Sequence, residues 1–306
     1  MSRIKLFSHT DLDGYSCNIV MKALGINVDE TNINYGEINE VVKDYIQSGI
    51  YKNYDITFIT DISVNEKIAK LIDNTKDLTV RLLDHHPTAE WLNKYEWACV
   101  TVNNTLEKTS GTEMLFNYLI SQKNDLITDW NDIRNISNFV NHVKKYDTWL
   151  WKDKYNDDTS KKLNDLFYIL GYKKFYEFLE EESFNINFLI HDYSYLLENQ
   201  QKKIDEYIEK KNKEIISHKI KDYNIGIVFA SQYQSELGNR LSELNPQYDL
   251  IAMIGENSIS YRTTKDNINC GGFAKLFNGG GHPKASGSEI SEEQKIKIID
   301  LLFDMK

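Results

Sequence analysis

Arg81-Leu82-Leu83-Asp84-His85-His86-Pro87 is the stretch from which this chain is best read. Two leucines close a short apolar run, and an acid, two imidazoles and a chain-stiffening proline follow at once. A buried strand of an open α/β sheet has this form where it runs out at its exposed end. The triplet Asp84-His85-His86 carries little by itself, and its meaning depends on what the other strand ends supply.

Upstream, Ile4 to Ser8 reads as a strand that enters the polar loop His9-Thr10-Asp11-Leu12-Asp13-Gly14 and then a helix through Cys17, Val20, Met21 and Leu24. A strand is expected over Thr31 to Tyr35 and a helix over Glu37 to Ser48. A buried strand over Asp55 to Thr60 ends at Asp61, a helix covers Asn65 to Asp73, and strands cover Leu78 to Leu83 and Ala98 to Val102. This alternation predicts a mainly parallel, doubly wound sheet whose right-handed crossovers bring the strand C-ends to one edge. His9, Asp61 and Asp84-His85-His86 all fall there.

Downstream, Ser110-Gly-Thr-Glu113 has the spacing of a capping box and starts a helix. A further helix from about Trp130 carries Ile133, Ile136, Phe139, Val140 and Val143 and stops at Asp147. Residues 152–221 turn to Lys, Glu, Asn and Tyr at helical spacing, predicting a connector with a long solvated helix over Leu196 to Ile216. A smaller α/β unit follows, with strands at Ile225 to Phe229, Leu250 to Ile254 and Ser258 to Arg262 and helices at Ser235 to Leu244 and Glu292 to Phe303. Between them lies Asn278-Gly279-Gly280-Gly281-His282-Pro283. The expected division is therefore 1–151, 152–221 and 222–306. His142, His191 and His218 fall on expected helices without such neighbours and read as structural or solvent-facing.

The 306 residues favour two domains, and 41% hydrophobic residues supply a core. A formal net charge of −10 excludes the overall cationic field that holds long nucleic acid. Cys17, Cys99 and Cys270 lie far apart and read as reduced thiols. The first residues enter a strand pattern directly, and no apolar run approaches the roughly 20 residues of a membrane span. A cytoplasmic protein is expected, with a homodimer left open.

Placed together in a crevice, Asp11, Asp13, Asp61 and Asp147 would repel one another unless cations neutralised them, and two divalent ions balance four carboxylates. The mixed set with His9 and His85 suits Mn²⁺ rather than a thiolate-type zinc site. In H-x-D-x-D, alternate residues of an extended segment face the same way, so one loop can serve adjacent ions. Two cations roughly 3.5–4 Å apart can promote in-line displacement at phosphorus. Taken singly, Asp11 or Asp13 could simply cap the next helix; four such groups at successive strand ends make that reading insufficient. Gly279-Gly280-Gly281-His282 offers backbone N–H groups and an imidazole to an anion, against the alternative of a tight loop, and Arg262 adds a planar phosphate clamp.

These motifs resemble the DHH phosphoesterase superfamily, in the DHH–DHHA1 branch of nanoRNases (oligoribonucleases), RecJ exonucleases and cyclic-dinucleotide phosphodiesterases. The matching residues are His9-Thr-Asp11-Leu-Asp13-Gly14, Asp61, Asp84-His85-His86, Asp147 in Lys145-Tyr-Asp-Thr-Trp149, and Gly279-Gly-Gly-His282 with Ser260-Tyr-Arg262-Thr263. The last differs from the family's usual Ser-Leu-Arg-Ser but keeps the arginine. The resemblance implies a DHH domain, a helical connector and a DHHA1 domain, with the active site in the cleft between the domains. It also implies that His9 and Asp11 hold one Mn²⁺, that Asp13, His85 and Asp147 hold the other, and that Asp61 bridges them. His86 would then face the reacting phosphate, Asp84 would orient a histidine, and Arg262 with Gly279, Gly280, Gly281 and His282 would bind the rest of the substrate. The expected activity is metal-dependent hydrolysis of short oligoribonucleotides to mononucleotides, with linear or cyclic dinucleotides as the alternative substrate. A catalytically silent nucleotide-binding protein is the alternative of another class.

Overall fold

Strand β1 (Ile4–Ser8) leads into α1 (Leu12–Ala23), β2 (Val28–Asn32) into α2 (Ile38–Gln47), and β3 (Ile56–Thr60) into α3 (Glu66–Asn74). β4 (Val80–Asp84) and β5 (Ala98–Val100) follow, then α4 (Gly111–Ser121) and α5 (Ile133–Asp147). This is a computed structural model that describes residues 3–104, 107–121 and 127–303; Met1 and Ser2 of the N-terminal reading lie outside them.

The five strands are all parallel, in the order β2-β1-β3-β4-β5. The three central strands β1, β3 and β4 are buried on both faces and read as largely apolar runs. Neighbouring residues point to opposite sides. Leu6, Phe58 and Leu83 join the core under α1, α4 and α5, whereas Phe7, Ile59 and Leu82 join the core under α2 and α3. The order reverses between β1 and β3. In this doubly wound arrangement the chain leaves those two strands toward opposite faces and opens a crevice at their C-terminal ends, the usual ligand position.

The second strand was expected over Thr31 to Tyr35 but forms at Val28–Asn32, paired with Ile4–Ser8. As an edge strand of sequence VDETN it lacks the apolar run that marks β1 and β3.

The chain divides into two compact units, Met1–Leu197 and Glu198–Lys306. The stretch 152–221 is thus split. Within it, α6 (Thr159–Glu181) and α7 (Ile186–Asp192) bury Leu163, Leu166, Phe175, Leu179, Ile186 and Leu189 in the core beside α1. Gly171, with φ 72° and ψ 158°, breaks α6 into two helical pieces. The solvated helix expected at 196–216 is α8 (Ser194–Lys213), which buries Ile204 and Ile208 and leaves its charged faces in water.

The second unit is a six-stranded mixed sheet made of β6 (Ile216–Ile220), β7 (Tyr223–Phe229), β8 (Leu250–Ile254), β9 (Ser258–Arg262), β10 (Gly280–Gly281) and β11 (Ala285–Glu289). Only β7 and β8 pair in parallel. They are joined through α9 (Gln234–Leu244), and α10 (Cys270–Ala274) covers the other face. The terminal α11 (Glu292–Leu302) carries a complete capping box at Ser291 and Gln294. His218 lies on the exposed strand β6 rather than on a helix. The three cysteines are unpaired, Cys17 and Cys270 buried and Cys99 partly so. Among the described residues no helix is long and apolar enough to cross a membrane.

Candidate active site

Register brings the strand ends level. Ser8 stands opposite Thr60 and Thr60 opposite Leu83, so His9, Asp61 and Asp84 leave three adjacent strands at one height. The Ser8 and Thr60 hydroxyls, 2.8 Å apart, lock the first pair. Asp61 keeps its N–H in the sheet, on the Leu83 carbonyl at 3.0 Å, and then turns at φ 57°, a left-handed conformation that Asp tolerates better than bulkier residues.

Two groups form around the Asp61 carboxylate. In one, His9 Nδ1 lies 2.9 Å from Asp11 Oδ2 and 3.9 Å from Asp61 Oδ2. In the other, His85 Nε2 lies 3.1 Å from Asp61 Oδ1, 3.5 Å from Asp147 Oδ2 and 3.8 Å from Asp13 Oδ2. Ligand atoms of His9, Asp11 and Asp61 all fall within 4.8 Å of one another, as do those of Asp13, His85 and Asp147. The six residues singled out from sequence as metal ligands are therefore brought together.

The electrostatics fit cations. Asp61 Oδ2 is buried without a hydrogen-bond partner among the described residues, an orphan that desolvation makes costly. Burial, and then the charges of Asp13, Asp11 and Asp147, push the Asp61 carboxyl well above the ordinary range. Burial also lifts Asp147 to about 6 against the pull of His85, with Asp13 and Asp11 adding to the rise. Burial acts upward on Asp11 too, but the hydrogen bond and charge of His9 outweigh it and hold Asp11 at about 2. Crowded carboxylates of this kind are relieved by divalent cations.

Beside this centre, Asp84 is fully buried and accepts from the Ser63 hydroxyl, from the His85 N–H at 2.8 Å and from His86 Nδ1 at 2.7 Å. A carboxylate can only accept, so His86 Nδ1 carries the proton, while Nε2 lies 2.9 Å from the Tyr35 hydroxyl. Burial opposes charge on His86, but the Asp84 hydrogen bond and charge prevail and raise it to about 9. Asp84 thus orients the His86 ring and holds His85 by its backbone.

Three contributors were not evident in the sequence: the α4 amides that hold Asp13, Gly111 against Asp61, and Tyr35. Asp11 caps α1, as its single-residue reading allowed, through the Gly14 N–H at 3.0 Å. Asp13 instead caps α4, a long-range partner, accepting from the N–H groups of Gly111 at 2.7 Å and Thr112 at 3.0 Å. Ser110 accepts from the Glu113 N–H at 3.3 Å, but Glu113 turns to Thr109 and Lys144, so only half of the expected capping box forms. Gly111 also abuts Asp61. Tyr35 is the third, its hydroxyl 2.9 Å from His86 Nε2 and its ring 4.9 Å from that of His9. The only cue for Tyr35 was its place as the last residue of an expected strand.

In the second unit, Arg262 ends β9 opposite Ala285, and Ala285 in turn exchanges backbone hydrogen bonds with His282. Arg262 and His282 thus share a neighbour in the sheet. The glycine run is not an open loop throughout, because Gly280 and Gly281 form the edge strand β10 against Gly287 and Ser286. At Gly281, φ 131° and a hypothetical Cβ 2.7 Å from the Ser286 Cα leave room only for glycine.

No protein-family model matches the sequence. The oligoribonuclease NrnB of Bacillus subtilis is 36% identical over 297 residues, spanning 94% of this chain and 73% of that protein. The chain belongs to the DHH/DHHA1 superfamily. A 3′,5′-cyclic-nucleotide phosphodiesterase of Helicobacter pylori is 23% identical over 331 residues, covering 95% of this chain and 93% of the relative. The Thermus thermophilus RecJ structure with Mn²⁺ superimposes with a TM-score of 0.55 at 11% identity, over 100% of this chain and 52% of RecJ, a likeness of DHH/DHHA1 fold alone. As a DHH/DHHA1 member with this site, the chain is a metal-dependent phosphoester hydrolase.

Proposed function

We propose that the chain is a Mn²⁺-dependent phosphodiesterase that hydrolyses short oligoribonucleotides to mononucleotides. The observation that carries this reading is the pair of three-residue groups around one buried, half-orphaned Asp61. His9, Asp11 and Asp61 would hold one cation, and Asp13, His85, Asp147 and the same Asp61 the other. Bound there, two divalent cations polarise the phosphoryl group and lower the pKa of the attacking water.

The chain's own groups do the rest. Asp84 keeps the proton on His86 Nδ1 and fixes the ring, so that Nε2 can donate to a phosphoryl oxygen as charge builds there. The first turn of α4 holds Asp13 by both oxygens, which keeps that carboxylate from swinging with each turnover. In the second unit, Arg262, His282 and the backbone of Gly279, Gly280 and Gly281 would grip the remaining phosphate or terminal nucleotide. A net charge of −10 suits a short substrate held at such local points better than a long strand. The relative named an oligoribonuclease supports the substrate class.

The second reading is hydrolysis of linear or cyclic dinucleotides, favoured by the relative named a cyclic-nucleotide phosphodiesterase. Turnover of labelled di- to pentaribonucleotides and of cyclic dinucleotides, each with Mn²⁺, separates the two. Replacing Asp84, His85 and His86 together by Ala should abolish turnover; undiminished activity would refute the mechanism. A catalytically silent nucleotide binder would take up nucleotide without binding close to two Mn²⁺ per chain.

A further inference from the structure

Outside the metal-site residues, a cavity of about 470 Å³ opens against Asp84 and His86, and none of the six candidate ligands lines it. Its other walls include Tyr35, Asn39, Asn65, Glu66 and Trp91. Trp91 sits on the 3₁₀ turn Pro87–Lys94, which follows the Asp84-His85-His86 triplet directly. Ala89 and Leu92 of that turn are buried in the core at 3% and 0% exposure, which fixes the turn, whereas Trp91 remains 37% exposed. Tyr35 is 47% exposed, with its hydroxyl 2.9 Å from His86 Nε2. Two large rings are thus partly exposed beside one polar cleft, with Lys94 Nζ 5.0 Å from the centroid of the Trp91 ring.

The chemistry of the lining narrows the occupant. It contains no Lys or Arg, and its one Glu, Glu66, lies 2.9 Å from Lys70 in an ion pair. The cavity is therefore poorly suited to a second phosphate. Asn39 gives its carbonyl to the Asn65 N–H at 2.8 Å, which fixes the side chain and leaves its two amide hydrogens as donors. Aromatic faces with a neutral amide suit a flat, hydrogen-bonding, uncharged ring.

We propose that this cavity is a nucleobase subsite for the nucleotide whose phosphate meets His86, in which the base stacks on Trp91 and Tyr35 and accepts a hydrogen bond from the Asn39 amide. The proposal rests on the phosphodiesterase reading for the position of that phosphate and adds a determinant of substrate choice to the first unit. Because Trp91 lies on the open side of an anchored turn, its replacement leaves Ala89 and Leu92 in place.

The test is calorimetric titration of the full chain, in Mn²⁺, with a nucleoside 5′-monophosphate and with ribose 5-phosphate, which lacks the base. Stacking on an aromatic side chain is worth enough to give a roughly tenfold or greater preference for the nucleotide. In Trp91→Ala that preference should vanish while ribose 5-phosphate affinity stays unchanged, and Trp91→Phe should restore most of it. Equal binding of the two ligands by wild type would overturn the subsite, and so would a Trp91→Ala variant that keeps the preference or weakens both ligands alike. Absence of oligonucleotide turnover would sink the phosphodiesterase reading instead, and the binding comparison stands apart from turnover.

Discussion

Gly111 lies so close to Asp61 that a Cβ on it would stand 2.5 Å from the Asp61 Cβ and 2.9 Å from its Cα. Gly111→Ala must therefore push either the first turn of α4 or the carboxylate shared by both metal groups. We expect a loss of about 1–3 kcal/mol in stability from overpacking. Activity should fall roughly 100-fold, the scale at which a small misplacement of reacting groups is felt. Urea unfolding and steady-state kinetics on the same preparation check both numbers.

Asp61→Asn should separate stability from metal binding. Asn accepts the left-handed backbone at this position, and the change removes a buried carboxylate that lacks a partner on one oxygen among the described residues. The metal-free variant should be at least as stable as wild type. Wild type should gain about 2.7 kcal/mol per site at a hundredfold excess of Mn²⁺ over Kd, and most of that gain should disappear in the variant. Thermal melts with and without Mn²⁺ report the pair of outcomes.

Metal binding should release protons. Without cations burial and neighbouring carboxylates hold Asp61 well above its usual range and Asp147 at about 6, so Asp147 is partly protonated in mildly acidic solution and must deprotonate to ligate. Mn²⁺ affinity should therefore weaken as pH falls from 7 toward 5. Calorimetry in two buffers of different ionisation heat should show proton release growing as the pH approaches 6 from above.

His142 provides a pH dependence away from the metal groups. It is buried on α5 against the Ser160 hydroxyl at 2.9 Å; burial, and then the charge of Lys145, lower its pKa, with Asp157 pulling the other way. The folded state thus resists protonation more than the unfolded chain. Its contribution to stability is complete above the unfolded pKa of about 6.5 and is lost as pH falls through that value toward the lower folded pKa. His142→Gln should flatten the difference in unfolding free energy between pH 7.5 and 5 relative to wild type.

The sheet of the first unit and its site could be read from sequence because β1, β3 and β4 are buried runs that end abruptly in polar groups, and parallel crossovers bring such ends together. Elements without that contrast were missed. β6 is exposed, β10 consists of two glycines and β11 is ASGSE, so none offers an apolar alternation. The helices α6 and α7 read as a wet connector because their charges dominate composition while their apolar residues fill a core shared with α1, α4 and α5. Tyr35, Gly111 and the α4 cap on Asp13 are relations between distant residues, and only folding creates them.

That cap also sets a rule for how the sequence can change. Asp13 is held by two consecutive backbone N–H groups at the start of a helix 98 residues further along the chain, and the next face of that turn touches Asp61. Backbone donors are indifferent to most side-chain substitutions but sensitive to phase. One residue added near the start of α4 would rotate the following helix by about 100° and aim different amides at Asp13. Apart from Gly111, the first turn of α4 should therefore tolerate many changes of letter and few changes of length, which makes residue spacing, rather than composition, what this turn is constrained to keep.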